Sequence, residues 1–416
     1  MTADSREIGA PYPRAGLALA VLGAIFIAAL TLTPAPEEAD RVAELSWTCL
    51  VCGDLGGTDV SLNLLLFAPF AAGLALLGWR TWRVCLVAAL VSLSIETIQF
   101  AYLPGRDASL SDFITNTTGA TLAAFVVNHR GVWLTPTVRQ ARTLLWSGLV
   151  AWVAMEGITA WAVQPALPHT RYWGQWAADL GFLDRFTGRV LSATVSGDSL
   201  PPHRVMDSER LRRQLLAGGS VATLAITGSA PDGLAPIASI FDQGHQMIAM
   251  LGQRRAETYF RVRTHVDDLR FRPPAIILSD ALPAGAGTLI RLEGSYERGV
   301  YRLRVEANGH ALERDLAASP SWGWSFFMPY ANYALGRSVY ALTALWIAGL
   351  LLPLGFWARR AHGWWPLLSL GVAVTATLVM VPLLAGLRPV HPTEWGAAAL
   401  GLSAGCLLGG WSVLHG

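Results

Sequence analysis

Residues Val91–Ala120 read VSLSIETIQFAYLPGRDASLSDFITNTTGA and carry Glu96, Gln99, Arg106, Asp107, Asp112 and Asn116 in otherwise apolar surroundings. Each polar group costs free energy in hydrocarbon unless it is paired, so a hydrophobic span does not hold such groups for packing alone. Glu96 and Gln99 are three apart and Asp112 and Asn116 four apart, so each pair shares one helix face. Between them, Leu103–Ser109 contains Pro104 and Gly105 and reads as a tight turn that sends the chain back across a membrane. The expected hairpin joins two polar helix faces at one membrane surface, with Arg106 at the bend.

Composition sets the class outside this stretch. Charged residues make up 14% of the chain and hydrophobic residues 53%, with a mean hydropathy of +0.40. Soluble domains run at about 25% charged, so most of this chain does not face water. The net charge of +2 gives no case for a nucleic-acid partner. Abundant Gly, Ala and Trp suit close helix contacts and interfacial anchoring.

Apolar runs place eight spans near Ala15–Leu32, Val60–Trp79, Val84–Leu103, Ser111–Val127, Leu144–Val163, Ser338–Trp357, Trp365–Leu387 and Trp395–Leu414. Most approach the ~20 residues that a spanning helix needs. The first run exceeds the roughly 7–15 residues of a signal-peptide core and reads as a retained anchor. Arg6 and Arg14, Arg80 and Arg83, His129 to Arg142, and Arg359 and Arg360 all fall on one side of this map, which the positive-inside rule assigns to the cytoplasm. Both termini are then expected in the cytoplasm and residues 164–333 outside.

That orientation gives the polar residues a depth. Asp59, Asn63, Glu96, Gln99, Asp112, Asn116 and Glu156 all fall in the extracytoplasmic half of the expected bundle, with Arg106 beside them. Any one of them could serve an interhelical hydrogen bond. Unrelated structural residues have no reason to choose one leaflet, so the set is read as a ligand site, with Glu96 and Asp112 the candidate acid and base.

Three segments carry a family resemblance: DVSLNLLLFAPF (Asp59–Phe70), SIETIQF (Ser94–Phe100) and GRDASLSDFITNTTGA (Gly105–Ala120). Asn and Phe-x-Pro on one helix, Glu-x-x-Gln on the next, then Gly-Arg and Asp-x-x-x-Asn resemble the VanZ family of small membrane proteins. The resemblance falls on Asn63, Phe67, Pro69, Glu96, Gln99, Arg106, Asp112 and Asn116. It implies a bacterial cytoplasmic membrane protein and a link to low-level teicoplanin resistance. It covers about the first third of the chain and supplies no reaction.

Cys49 and Cys52 form a C-x-x-C in the first outer loop, SWTCLVCGD, as a disulfide or a reactive dithiol. No second ligand pair accompanies them, so no metal site and no cofactor is expected. Cys85 and Cys406 lie in spans and read as packing residues.

The region from Gln164 to Tyr333 has no run long enough to span. Trp173, Trp176, Leu180 and Leu183 stand at roughly helical spacing, predicting a helix at the membrane interface or packed on the domain that follows. From Ser220 the period becomes two. SVATLAITG, LAPIASIFD, QMIAMLGQ, ETYFRVRT, AIILSD, GTLIRLEGSYE, GVYRLRVEANG and HALERDL read as successive strands, with Asn308-Gly309 turning a hairpin. Many short antiparallel strands in one domain indicate a sandwich. Their order resembles concanavalin A-like and LamG jelly rolls, which implies carbohydrate binding.

A retaining glycanase needs two carboxylates about 5–5.5 Å apart, and no strand offers such a cluster. Asp267 and Asp268 are adjacent, hence on opposite faces of a strand. Asp242 and Asn308 could contact calcium, but no dedicated loop marks a site. Arg261, Arg263, Arg270 and Arg272 make a basic cluster, either a solvated strand face or a contact for an anionic glycan or lipid headgroup. His391–Glu394 reads as a loop and helix start, with Thr393 near the N-cap.

The expected fold is a polytopic α-helical membrane protein of about eight spans with an extracytoplasmic all-β jelly-roll sandwich. Its parts are residues 1–163 as a VanZ-like bundle, 164–333 as the sandwich and 334–416 as the last three spans. The leading function is binding of an envelope glycan or lipid-linked saccharide, with membrane lipids as further partners. The rival is a non-catalytic scaffold whose sandwich binds an envelope protein. Catalysis and simple binding stay open.

Overall fold

The computed structural model describes residues 12–34, 51, 53, 55–103, 106, 108–181, 183–283, 285–328 and 338–414. Cys49 and Cys52, and Pro104, Gly105 and Asp107 of the expected turn, lie outside the described residues. The chain divides into two compact units, Met1–Ala141 and Arg142–Gly416.

The first unit is helical: α1 (Pro13–Thr31), α2 (Gly56–Leu66), α3 (Ala68–Leu76), α4 (Thr81–Tyr102), α5 (Leu110–Asn128) and the short α6 (Arg130–Leu134). Helices α2 and α3 form one apolar stretch, Gly56–Leu76, interrupted at the buried Phe67. Pro69 sits in the first turn of α3 and has no N–H to continue the α2 ladder. Small residues let α1 approach α3 closely. A Cβ at Gly73 would lie 2.4 Å from the Ala20 backbone nitrogen, so only glycine fits this crossing. Phe67, Ala71, Val84, Ala88, Ala120 and Ala124 form the centre of this unit's core.

The second unit contains α7 (Val138–Ala162), whose first residues precede the boundary, and then a β region. Its strands are β1 (Tyr172–Trp176), β2 (Arg189–Val195), β3 (Asp198–Ser199), β4 (Val221–Ile226), β5 (Ala235–Asp242), β6 (Met247–Arg254), β7 (Glu257–Val262), β8 (Ile276–Leu278), β9 (Leu289–Glu297), β10 (Val300–Ala307) and β11 (His310–Ala317). Helices α8 (Ser208–Leu216) and α9 (His265–Asp268) interrupt them. A 3-10 turn (Trp322–Phe327) leads toward α10 (Ser338–Arg360), α11 (Trp365–Leu384) and α12 (Pro392–Leu414).

The strands form two antiparallel sheets, β1-β5-β6-β7-β8 and β11-β10-β9-β4-β2-β3. Inward residues of both share one core, among them Ile240, Leu251 and Phe260 from the first and Ala225, Leu292 and Leu303 from the second. The period-two segments from Ser220 onward form β4 to β11. Asn308 (φ 50) and Gly309 (φ 76) take the left-handed conformations that a two-residue hairpin between β10 and β11 requires. The expected helix over Trp173–Leu183 is corrected: Tyr172–Trp176 is a strand paired with β5 from Tyr172↔Asp242 to Trp176↔Ala238. Pairing with a sheet edge outweighs the helical spacing of the Trp residues, and Gly181 (φ 72) ends any continuation.

The sheet core extends into helix ends of the same unit. Ala160 and Val163 at the end of α7, Val339 of α10 and Leu387 between α11 and α12 belong to it. Tyr296 Oη donates to the Val163 carbonyl at 3.1 Å, and Gln164 Nε2 to the Ala385 carbonyl at 3.0 Å. Below this seat, α10 and α12 pack through glycines. A Cβ at Gly405 would stand 2.0 Å from the Leu352 oxygen, and one at Gly401 2.5 Å from the Ala348 oxygen.

Among the described residues, 6 helical stretches are long and apolar enough to cross a membrane: α1, α2–α3, α4, α7, α10 and α11. The other two expected spans correspond to helices α5 (19 residues) and α12 (23 residues). Helix α5 carries Asp112, Asn116, Asn128 and several threonines, which lower its hydropathy.

Candidate functional site

The polar residues of the first unit meet where α4 ends and α5 begins. Helix α5 starts at a cap: Ser109 Oγ accepts from the Asp112 backbone N–H at 3.1 Å. Such a cap holds the first turn and satisfies a donor that the helix cannot. The Ser109 backbone N–H donates to Glu96 Oε2 at 2.9 Å, so a carboxylate on α4 fixes the start of α5. Glu96 and Ser109 are both buried.

Three further bonds tie the same region. Asn63 Nδ2 on α2 donates to Asp112 Oδ1 at 2.6 Å. Asn116 Nδ2, one turn further along α5, donates to Ser92 Oγ at 3.1 Å. Gln99 Nε2 donates to the Thr31 carbonyl at 2.9 Å. Arg106 reaches the same helix end, with Nε 2.8 Å from the Thr33 carbonyl and Nη2 3.0 Å from the Leu30 carbonyl. The last carbonyls of α1 have no partner in the helix, and a cation at that terminus also suits the helix dipole. Asp59 stands in the first turn of α2, one turn before Asn63.

The site residues of the first unit thus form a network over α1, α2, α4 and α5. Two acceptors in it stay open: Gln99 Oε1 and Asn116 Oδ1 are buried without a hydrogen-bond partner among the described residues. Ser92, Ser109 and the α1 carbonyls were not expected from the sequence. Serine is common in helices, and its partner is not encoded locally.

Glu156, expected with this set, belongs to the second unit, where it accepts from Ser321 Oγ at 2.9 Å. In the same unit Glu394 accepts from Ser319 Oγ at 2.8 Å and from the His391 backbone N–H at 3.2 Å. Helix α12 begins at Pro392, so Thr393 lies inside it, and Glu394 closes the first turn by reaching back.

The basic cluster on the sheets is largely neutralised. Arg261 pairs with Asp267, and Arg263 with Asp268 at 2.6 Å. Asp267 and Asp268 do not lie in a strand: they belong to α9, where Asp267 and Thr264 make a capping box. Asp242 folds onto its own turn, accepting from the Gly244 and Gln246 N–H groups at 2.8 and 2.9 Å. Asn308 lies in the other sheet's hairpin, so the two do not form a common calcium site. Beside that hairpin an open cleft of about 470 Å³ is lined by Leu224, Leu289, Arg291, Arg304, Asn308 and His310. Arg304 is paired with Glu306 at 2.7 Å. Among the described residues, no group of three or more His, Cys, Asp or Glu could hold a metal ion.

Residues 20–132 match the VanZ/LLP1 family model. The match takes in α1 to α6 and every candidate residue of the first unit. That part of the chain is VanZ-like, and with the apolar helices it makes the chain a membrane protein. The match covers about a quarter of the chain and stops before the sheets. No curated protein and no solved structure matches the chain.

Proposed function

We propose that the VanZ-like unit binds the polar head of an envelope lipid, a lipid-linked saccharide by preference, where α4 turns into α5, and that the two-sheet domain binds an envelope glycan. The observation that carries this reading is the pair of open acceptors. Gln99 and Asn116 are held through their amide nitrogens, which aims Oε1 and Oδ1 as fixed acceptors for hydroxyl or amide donors of a ligand. A buried acceptor left without a donor costs about 1–3 kcal/mol, so a ligand that supplies one gains affinity there. Among the described residues Arg106 bonds through Nε and Nη2 to carbonyls at the end of α1, and Nη1 would meet a phosphate. The basic loops support placing this end outside the cytoplasm, and the hairpin cleft with Arg291 and His310 offers the sheet domain a polar surface for sugar. The concanavalin A-like resemblance and the link to glycopeptide resistance fit the same picture.

A second reading rests on a different observation: Asn63, Gln99, Arg106 and Asn116 all bond across to another helix or its end. A scaffold needs no more than that. The two readings separate when the purified protein is incubated with lipid-linked saccharides and the retained lipid is weighed by native mass spectrometry. Binding predicts retention by the wild type and its loss in Arg106→Gln and Asn116→Leu at a preserved melting midpoint. Retention that is absent, or equal in all three, leaves the scaffold.

A further inference from the structure

A second polar group lies in the other unit, at the junction of sheets and helices, and the lipid-binding reading does not use it. Glu156 on α7 and Glu394 on α12 are 1% and 3% exposed. Both are fastened to one short segment between β11 and α10. Ser321 Oγ donates to Glu156 and Ser319 Oγ to Glu394, while the Ser321 backbone N–H donates to Ser319 Oγ at 3.1 Å. Two carboxylates are thereby brought to one three-residue segment, away from water. Like charges so placed repel, and among the described residues no Arg pairs with either.

The surroundings are oriented toward something more. Glu156 Oε1 and Thr159 Oγ1 are fully buried and have no hydrogen-bond partner among the described residues. Thr159 stands one turn after Glu156 on the same helix. The bare side of Gly323, in the same segment, faces Thr159 Oγ1 at 3.4 Å and Trp346 Nε1 at 3.2 Å, measured from where its Cβ would be. Trp152, with its indole Nε1 buried, lies beside Glu156. The side chains bonded to the two carboxylates are hydroxyls, and the nearby His391 imidazole is engaged with Thr393 Oγ1. Hard oxygens of this kind suit small, weakly polarisable cations and do not suit transition metals.

We propose that Glu156, Glu394, Thr159 and the serines of the Ser319–Ser321 segment form a buried site for one monovalent cation, sodium or a proton. The charge offsets the repulsion between the two carboxylates and so locks the strand-to-helix connection onto α7 and α12. The ionisable groups around it are few. Helix α7 contributes Glu156, and α12 contributes Glu394 and His391. The His391 ring is held by Thr393 Oγ1 at 2.9 Å and by Tyr340, whose ring centroid is 4.4 Å distant, and it lies close enough to act electrostatically on Glu394. Helix α10 presents Thr343 and Trp346, and the described residues of the connecting segment, 318–328, carry no ionisable side chain.

The test uses the full-length protein in detergent. Its melting midpoint is measured in sodium chloride against choline chloride at pH 8.5, then from pH 9 to pH 5 without sodium. The wild type is expected to rise by several degrees with sodium, with acid, or with both. A rise with sodium identifies the metal ion, and a rise with acid alone identifies the proton. Glu156→Gln and Glu394→Gln, neutral and of equal size, should each lose the dependence whatever their own midpoint. Thr159→Val keeps both carboxylates and removes a hydroxyl with no protein partner. It is expected to fold, to raise the half-saturating sodium concentration several-fold if the ion is sodium, and to keep the acid response. A wild type indifferent to sodium and to acid overturns the proposal. So do Gln variants that melt lower but keep the full dependence, because a merely structural carboxylate would behave that way.

Discussion

The Asn63–Asp112 contact offers the sharpest measurement of what the polar residues of the first unit do. Asn63 Nδ2 lies 2.6 Å from Asp112 Oδ1, and the two residues come from α2 and α5. Hydrogen bonds to a charged partner contribute about 1.5–3 kcal/mol in water-soluble proteins. Between membrane helices the measured mean is about 0.6 and the maximum about 1.7 kcal/mol. Both side chains are half-buried and the bond is short, so a coupling of about 1–1.7 kcal/mol is expected, in the upper part of the membrane range. The assay is a double-mutant cycle with Asn63→Leu, Asp112→Leu and the pair, followed by reversible unfolding in detergent. The double variant should be less damaged than the sum of the singles by that amount, because each single leaves one polar partner stranded. A coupling below about 0.3 kcal/mol, within the error of additivity, would refute the claim that this bond ties α2 to α5. Asp112→Asn keeps an acceptor for Asn63 and is expected to lose about half the coupling. If that variant also loses lipid retention at an unchanged midpoint, Asp112 touches the ligand as well as its neighbour.

Three further outcomes follow from other parts of the chain. Gly405→Leu places a Cβ 2.0 Å from the Leu352 oxygen, so α12 must move by more than 1 Å, and the melting midpoint should fall by roughly 4 °C or more; Gly371→Leu on α11, where a Cβ meets nothing within 4 Å, is the control. Ser109→Ala removes the α5 cap and should cost about 1 kcal/mol, read as faster amide exchange in the first turn of α5 than in its last. A reporter fused at Gly233 should be active only outside the cytoplasm, and cytoplasmic activity would reverse the orientation drawn from the basic loops.

The strands were the most legible part of the fold, because β4 and β9 alternate and the β-rich segments from β4 to β11 are separated by turn residues. Strand β1 was hidden by Trp173 and Trp176, whose spacing of three fits a helix as well as a strand of 5 residues. What decides between them is β5, which lies some sixty residues away in sequence and offers its edge. The β2–β3 hairpin turns on Ser196 (φ 51) and Gly197 (φ 87) within ATVSGDSL, a signal present in the sequence but overlooked. Helix α8 is similarly announced by Asp207, whose side chain caps it. The polar set was recognised as unusual by its setting, yet its interhelical pairings join residues 13 to 76 positions apart and no local pattern encodes them. Glu156 was grouped with that set by depth alone, and depth does not distinguish one bundle from another.

The core shared by sheets and helices in the second unit has a consequence for the order in which the chain is made. Strands β4 to β10 are complete well before Val339 and Leu387 have been synthesised, yet both residues belong to the same core. Until α10 and the α11–α12 connection are in place, the domain keeps an apolar patch around Ala160, Val163 and Trp322 uncovered. The sheets therefore cannot reach their final stability during synthesis, and a chain stopped after β11 would carry a nearly finished domain with an open base. Such a patch is the kind of surface that chaperones and proteases detect, so the last three helices also serve as the completion signal for the domain that precedes them.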